Sequence, residues 1–99
     1  MAAVVVTPTA AADLDRLITT HSLPPDTRAR FKRSVASLAQ FPLIGSPLHG
    51  RWSAYRFLLG PWRWMIVVYV YDALADRVAI VTIQDARSGR ATTWTSSRS

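Results

Sequence analysis

The spacing of apolar positions changes once along this chain, from helical to alternating, near residue 54. Val4, Val5 and Val6 are three β-branched residues in a row and predict a short buried strand within residues 2–7. Pro8 stops it, and Thr9 is placed to cap a helix whose apolar face runs through Ala10, Leu14, Leu17, Ile18 and His21. Asp13 and Asp15 fall in the early turns, where the helix dipole favours acids. Pro24 and Pro25 cannot continue a helix, so residues 22–25 form a break. A second helix starts at Asp26 and runs to about Gln40, with apolar positions Phe31, Val35, Leu38 and Ala39. Arg28, Arg30, Lys32 and Arg33 crowd its first half. The two helices form a hairpin, each with one stripe to bury.

Residues 41–53 hold Pro42, Gly45, Pro47 and Gly50 and read as a loop. Strands are expected at 54–59, 62–71 and 77–83, joined by turns at Gly60-Pro61 and at 72–76. In the second strand the alternation places Trp62, Trp64, Ile66, Val68 and Val70 on one face, and Arg63, Met65, Val67, Tyr69 and Tyr71 on the other. The expected fold class is therefore α+β: a short N-terminal strand, then a two-helix hairpin packed on an antiparallel β-meander. Leu38 and Val35 should face the sheet together with Leu14 and Ile18. Residues 1–94 are expected to form one domain, with 95–99 as a polar tail.

Length supports a single domain, since 99 residues bury one modest core. The longest uncharged apolar run, Trp64 to Tyr71, is eight residues, whereas a membrane-spanning helix needs about 20. Without a basic start or a longer apolar stretch, residues 1–6 do not read as a signal peptide. A cytoplasmic setting is expected. The charge sharpens the picture: twelve Lys+Arg face six acids, for a net charge of +6. Such a domain attracts polyanions or acidic proteins.

Candidate chemistry narrows quickly. Cysteine is absent, which removes disulfides, thiolate metal sites and a cysteine nucleophile. His21 and His49 are the only histidines, too few with the available Asp residues for an expected metal site. No phosphate-cradling glycine loop, dinucleotide fingerprint or nucleophile elbow is present, and no cofactor is expected. What remains is a set of arginines and aromatics on and beside the meander: Arg51, Trp52, Tyr55, Arg56, Trp62, Arg63, Trp64, Arg87, Arg90 and Trp94. Arg63 draws attention because an inward-facing charge within an apolar strand costs stability unless it has a partner or a task.

Three segments in this order resemble the RelE/ParE superfamily of bacterial toxins. Residues 37–47, SLAQFPLIGSP, are similar to its "L-x-x-F-P-x-x-G-x-P". Residues 54–59, AYRFLL, with 62–69, WRWMIVVY, are similar to its "Y-R-V-x-Y" strand region. Residues 78–83, VAIVTI, with Arg87 are similar to its last strand and the Arg that follows. The resemblance implies the toxin of a type II toxin–antitoxin pair, silenced by a cognate antitoxin in a hetero-oligomer. It implies one of two targets: DNA gyrase for ParE-like members, or ribosome-bound mRNA cut without a metal for RelE-like members. Carried over by position, Arg63, Arg87 and Arg56 would be the catalytic cations of a ribonuclease. Arg51, Trp52, Tyr55, Arg90 and Trp94 would contact target or antitoxin. The ribonuclease set is incomplete: Leu58 stands where a second Lys or Arg is common, Gln84-Asp85-Ala86 replaces a common His, and no Tyr follows Arg87. The resemblance therefore leans toward a ParE-like, gyrase-directed toxin.

Overall fold

The computed structural model describes residues 1–87. Arg90, Trp94 and the expected boundary at residue 94 lie outside the described residues. The chain runs β1 (Ala3–Val6), α1 (Pro8–His21), α2 (Thr27–Val35), β2 (Ser46–Pro47), β3 (Arg56–Leu59), β4 (Met65–Asp72) and β5 (Arg77–Asp85). Short 3₁₀ turns at Ala36–Ala39 and Gly50–Trp52 follow α2 and β2. The sheet has five strands in the order β1-β5-β4-β3-β2. Strands β3 to β5 form the expected antiparallel meander, β2 adds an antiparallel edge strand beside β3, and β1 lies parallel to β5, with Ala3 opposite Arg77 and Val6 opposite Ile80. The class is α+β, two helices on a mixed sheet.

Several boundaries differ from the sequence reading. Thr7, not Thr9, caps α1: its hydroxyl accepts from the Ala10 amide, and Pro8 takes the first helical position, where a missing N–H costs nothing. Ser22 ends α1 in a left-handed conformation (φ 50°), and the Leu23 amide reaches back to the Ile18 carbonyl. The second helix is α-helical only to Val35 and then tightens into the 3₁₀ turn, which still points Leu38 inward. Residues 41–53 contain the edge strand β2, and β3 begins at Arg56 rather than Ala54.

The largest correction concerns residues 62–64. The Gly60 amide donates to Met65 O and the Met65 amide to Trp62 O, closing a hairpin loop of Pro61, Trp62, Arg63 and Trp64. Arg63 is therefore an exposed loop residue, not an inward strand charge. The loop also frees Trp62 and Trp64 from strand alternation: they pack on the helix-side core, away from Ile66 and Val68.

Two cores result. The main one joins Ala10, Leu14, Leu17, Phe31, Val35 and Leu38 to Met65, Val67, Tyr69, Val78, Ile80 and Ile83, with Ile18 and Leu58 half-buried against it. The expected meeting of Leu38, Val35 and Leu14 under the helices is present. The second, smaller core covers the other face: Leu48, Ile66 and Val68, flanked by Trp52, Tyr55, Phe57 and Val81.

The sheet edge past the end of β1 explains Asp13. Once β1 stops opposite Ile80, the next groups of β5 lack a strand partner. Thr7 takes the Ile80 carbonyl through its amide (3.1 Å) and its hydroxyl (2.8 Å). Asp13 Oδ2 accepts from the Ile83 amide (3.2 Å) and the Thr82 hydroxyl (2.6 Å), and Oδ1 accepts from Arg16 (2.7 Å). Asp13 is thus a buried bracket between α1 and β5, and sits beyond the first turn where a dipole argument applies. Burial works to raise its pKa, but the bonds from Thr82, Arg16 and Ile83 outweigh it and hold the carboxyl below its usual range.

Candidate functional site

Of the three arginines expected to act together, Arg56 is held apart from Arg63 and Arg87. Arg56 is level with Tyr69 in the β3–β4 ladder, whereas Arg63 and Arg87 lie at the far end, where Met65 faces Asp85. Four residues of strand put about 13 Å between these levels. Arg56 is also engaged: its Nη1 donates to the carbonyls of Gly45 (2.8 Å) and Leu43 (3.2 Å), which fixes the 41–47 segment against β3. Tyr69 anchors the same segment, its hydroxyl accepting from the Gly45 amide at 2.9 Å. Leu58 turns its side chain to the helix-side core.

Arg51, Trp52 and Tyr55 belong to the other face of the sheet. The Arg51 guanidinium lies 5.4 Å from the Trp52 ring centroid, and Trp52 meets Tyr55 at 6.0 Å. Both aromatics are half-buried against Ile66 and Val68, so this group first of all covers the small core.

A different cluster forms at the end of the sheet where α1 finishes. Trp62 and Trp64 stack with centroids 6.3 Å apart and planes inclined by 29°. Arg30 of α2 lies over Trp62 (5.7 Å), and Arg87 lies over Trp64 (4.5 Å). The His21 ring meets Trp64 at 4.8 Å, and its Nε2 is 3.0 Å from Asp85 Oδ2. Asp85 also accepts from Arg87, through the backbone amide (2.8 Å) and Nε (3.1 Å). The Ala86 amide donates to Trp64 O at 2.7 Å, which pins the end of β5 to the hairpin loop. Five segments thus converge: the ends of α1 and β5, the middle of α2, the β3–β4 loop and the residues just after β5.

This cluster has a defined electrostatic character. Burial works to raise Asp85, but hydrogen bonds and charge from Arg87, with His21 adding to them, hold its carboxyl below the usual range. Asp85 is therefore an ionised acceptor that orients His21 and Arg87, and a poor general base. Both guanidiniums over the indoles also hold a carboxylate, Arg30 that of Asp26 and Arg87 that of Asp85. The described residues contain no group of three or more His, Asp or Glu able to hold a metal ion. The sequence reading singled out Arg63, Arg87, Trp62 and Trp64 but passed over His21, Asp85 and Arg30 as partners. A His in the last turn of a helix is a weak signal, and its acid lies 64 positions away.

Comparison with known proteins places the architecture. The isolated RelE toxin of Escherichia coli superposes with a TM-score of 0.65 over 94% of this chain and 93% of its own, at 13% identity. The toxin–antitoxin complex RelBE2 of Mycobacterium tuberculosis gives a TM-score of 0.63 at 24% identity, covering 85% of this chain and 96% of the matched one. A copper-bound mutant toxin from Helicobacter pylori gives 0.63 at 15% identity, covering 86% and 94%. The fold is that of the RelE/ParE-type toxins. No family model matches the sequence, and no curated protein matches it. No helix among the described residues is long and apolar enough to cross a membrane.

Proposed function

We propose that this chain is the toxin of a bacterial type II toxin–antitoxin pair, that it arrests growth by binding DNA gyrase without cutting RNA, and that a cognate antitoxin neutralises it. The RelE/ParE-type fold supports the toxin reading. The observation that carries binding over cleavage is the dispersal of the arginines. Arg56 is committed to backbone carbonyls and Arg87 to Asp85, and Arg63, which forms no ion pair among the described residues, lies at the Arg87 end of the sheet, a strand's length from Arg56. A metal-free nuclease needs its cations converging on one phosphate, whereas a binding surface does not. A protein partner is also supported by Phe41, Leu43 and Ile44, each more than half exposed and lining a shallow apolar cleft of about 380 Å³. The test is controlled expression with growth measured, followed by gyrase supercoiling with purified protein and mapping of mRNA ends in arrested cells. Supercoiling inhibited with intact mRNA is the expected result. New mRNA ends with unaffected gyrase would refute it.

One observation favours a second reading, a ribosome-dependent, metal-independent endoribonuclease. His21 oriented by Asp85 beside Arg87 supplies a proton acceptor and a cation at one point. Under that reading, His21→Ala and Arg87→Ala each abolish mRNA cleavage and toxicity together, and removing such a charge-stabilising donor costs about 10²–10³ in rate.

A further inference from the structure

Strand β1 is an edge of the sheet, paired with β5 on one side only. The Ala3 and Thr7 amides donate inward, to the carbonyls of Asp76 (3.0 Å) and Ile80 (3.1 Å). Backbone groups alternate along a strand, so Val4 and Val6 turn their amides and carbonyls outward. Neither amide has a hydrogen-bond acceptor among the described residues. The outward positions on either side are closed. The Ala2 amide donates to the Ala39 carbonyl at 2.7 Å, and Pro8, which opens α1, has no amide. The strand itself is Ala-Val-Val-Val, with no charge and no proline to blunt the edge. Val5 and Val6 are 44% and 40% exposed. Val6 also borders an apolar cleft of about 190 Å³ whose walls include Leu14 of α1 and Phe31 of α2.

We propose that this edge pairs with the same edge of a second copy of the chain, β1 antiparallel to β1, about a two-fold axis through Val5. Outward groups pair only with outward groups, which leaves few registers. Val4 opposite Val4 sets Val6 against Ala2, whose amide is already taken. Val6 opposite Val6 sets Val4 against Pro8, which has no amide. Val4 opposite Val6 satisfies both valines of both copies. The edge is therefore self-complementary, as a two-fold interface requires. It carries no charge by which an acidic or basic partner would be steered to it. In that register Val4 of one copy lies beside Val6 of the other on the helix side, next to the cleft, and the two Val5 side chains meet on the opposite face. The far edge of each sheet, β2, is two residues long and contains Pro47, so assembly stops at two copies. With four residues a side, the contact is small and the association weak, in the micromolar range. The pairing holds whether or not the chain is a toxin.

The test is analytical ultracentrifugation of the purified chain, with no other protein present, from micromolar to hundreds of micromolar. Wild type should pass from monomer to dimer with no larger species. Val5→Lys sets two ammonium groups across the axis, where paired Cβ atoms lie about 5 Å apart, and should raise the dissociation constant by about tenfold. Val5→Glu should do the same by itself. Mixing the two variants puts Lys opposite Glu and should return the dissociation constant to near the wild-type value, which neither lost folding nor lost hydrophobicity would do. Leu43→Lys, in the separate apolar patch of Phe41, Pro42, Leu43 and Ile44, should leave association unchanged. Hydrogen exchange at the Val4 and Val6 amides should slow as concentration rises. Far-UV circular dichroism checks the fold of each variant. A wild type that stays monomeric throughout, a Val5→Lys chain that dimerises as well as wild type, a mixture no tighter than either variant alone, or loss of the dimer in Leu43→Lys would each overturn the proposal.

Discussion

Adding one methyl group at Gly45 probes the joint between the 41–47 segment and the sheet. A Cβ at this position would sit 2.6 Å from the Phe57 carbonyl oxygen, 2.7 Å from the Tyr69 hydroxyl and 2.8 Å from Tyr69 Cε1. None of these can yield cheaply, because Phe57 is backbone within β3 and Tyr69 is fully buried. Overpacking of this kind costs about 1–3 kcal/mol. The segment must also move off Tyr69, which breaks the Gly45–Tyr69 hydrogen bond and strands a buried polar group at a further cost of about 1–3 kcal/mol. Gly45→Ala should therefore destabilise the chain by about 2–6 kcal/mol, a large share of the 5–15 kcal/mol typical of a domain. At about 4–8 °C per kcal/mol for a domain of this size, the midpoint should fall by about 10 °C or more. The assay is urea and thermal unfolding followed by circular dichroism. Tyr69→Phe supplies the cross-check: in that background the hydroxyl contact and its hydrogen bond are already gone, so Gly45→Ala should cost less. A loss under about 1 kcal/mol, or strict additivity of the two changes, would refute the close-approach argument.

Leu38 is fully buried under the helices, and Leu38→Ala should cost about 2–5 kcal/mol by the cavity argument, measured by urea unfolding. Asp13 has a folded-state pKa below its ordinary 3.8, so the unfolded chain binds its proton more readily. Its contribution is fully present above 3.8 and is lost as pH falls through the lower folded value, so wild type should lose stability on acidification more steeply than Asp13→Asn. Parallel curves for the two proteins would refute the bracket. Under the proposed function, Arg63→Ala should reduce toxicity in cells by weakening target contact, with mRNA intact for both proteins at matched expression. Unchanged toxicity would remove Arg63 from the functional surface.

The element order, the helix hairpin and the meander were legible because each leaves a local trace: Pro24-Pro25 breaks a helix, and 3.6-residue spacing gives way to alternation. Leu38, Val35 and Leu14 were legible as core for the same reason. Other features depend on residues far apart in the chain. Nothing near Val4 says that its neighbour is Val78, or that their pairing is parallel. The alternation Trp62-Arg63-Trp64 has a strand's period, and only the bonds around Gly60 and Met65 show it to be a loop. Asp13 looked like a helix-dipole acid because its receptors, Thr82 and Ile83, arrive from β5. The candidate site was half legible. Its arginines and tryptophans stand out by composition, while His21, Asp85 and Arg30 acquire meaning only when the ends of α1 and β5 meet the middle of α2.

The parallel pairing of β1 with β5 carries a consequence for how the molecule is made. The Thr7 hydroxyl finds its carbonyl 73 residues downstream, so the first strand waits, unpaired, while almost all of the described chain is synthesised. Until β5 arrives, Asp13 has no amide or hydroxyl to bracket, and α1 has little sheet to lie on. Local contacts can form the helix hairpin early, whereas pairing across so long a loop is intrinsically slow. A chain stopped before residue 77 would lack the strand between β1 and β4 and so could not assemble this sheet. Partial products of translation should be inert and easily degraded, and the complete sheet appears only when synthesis of the described residues is nearly finished.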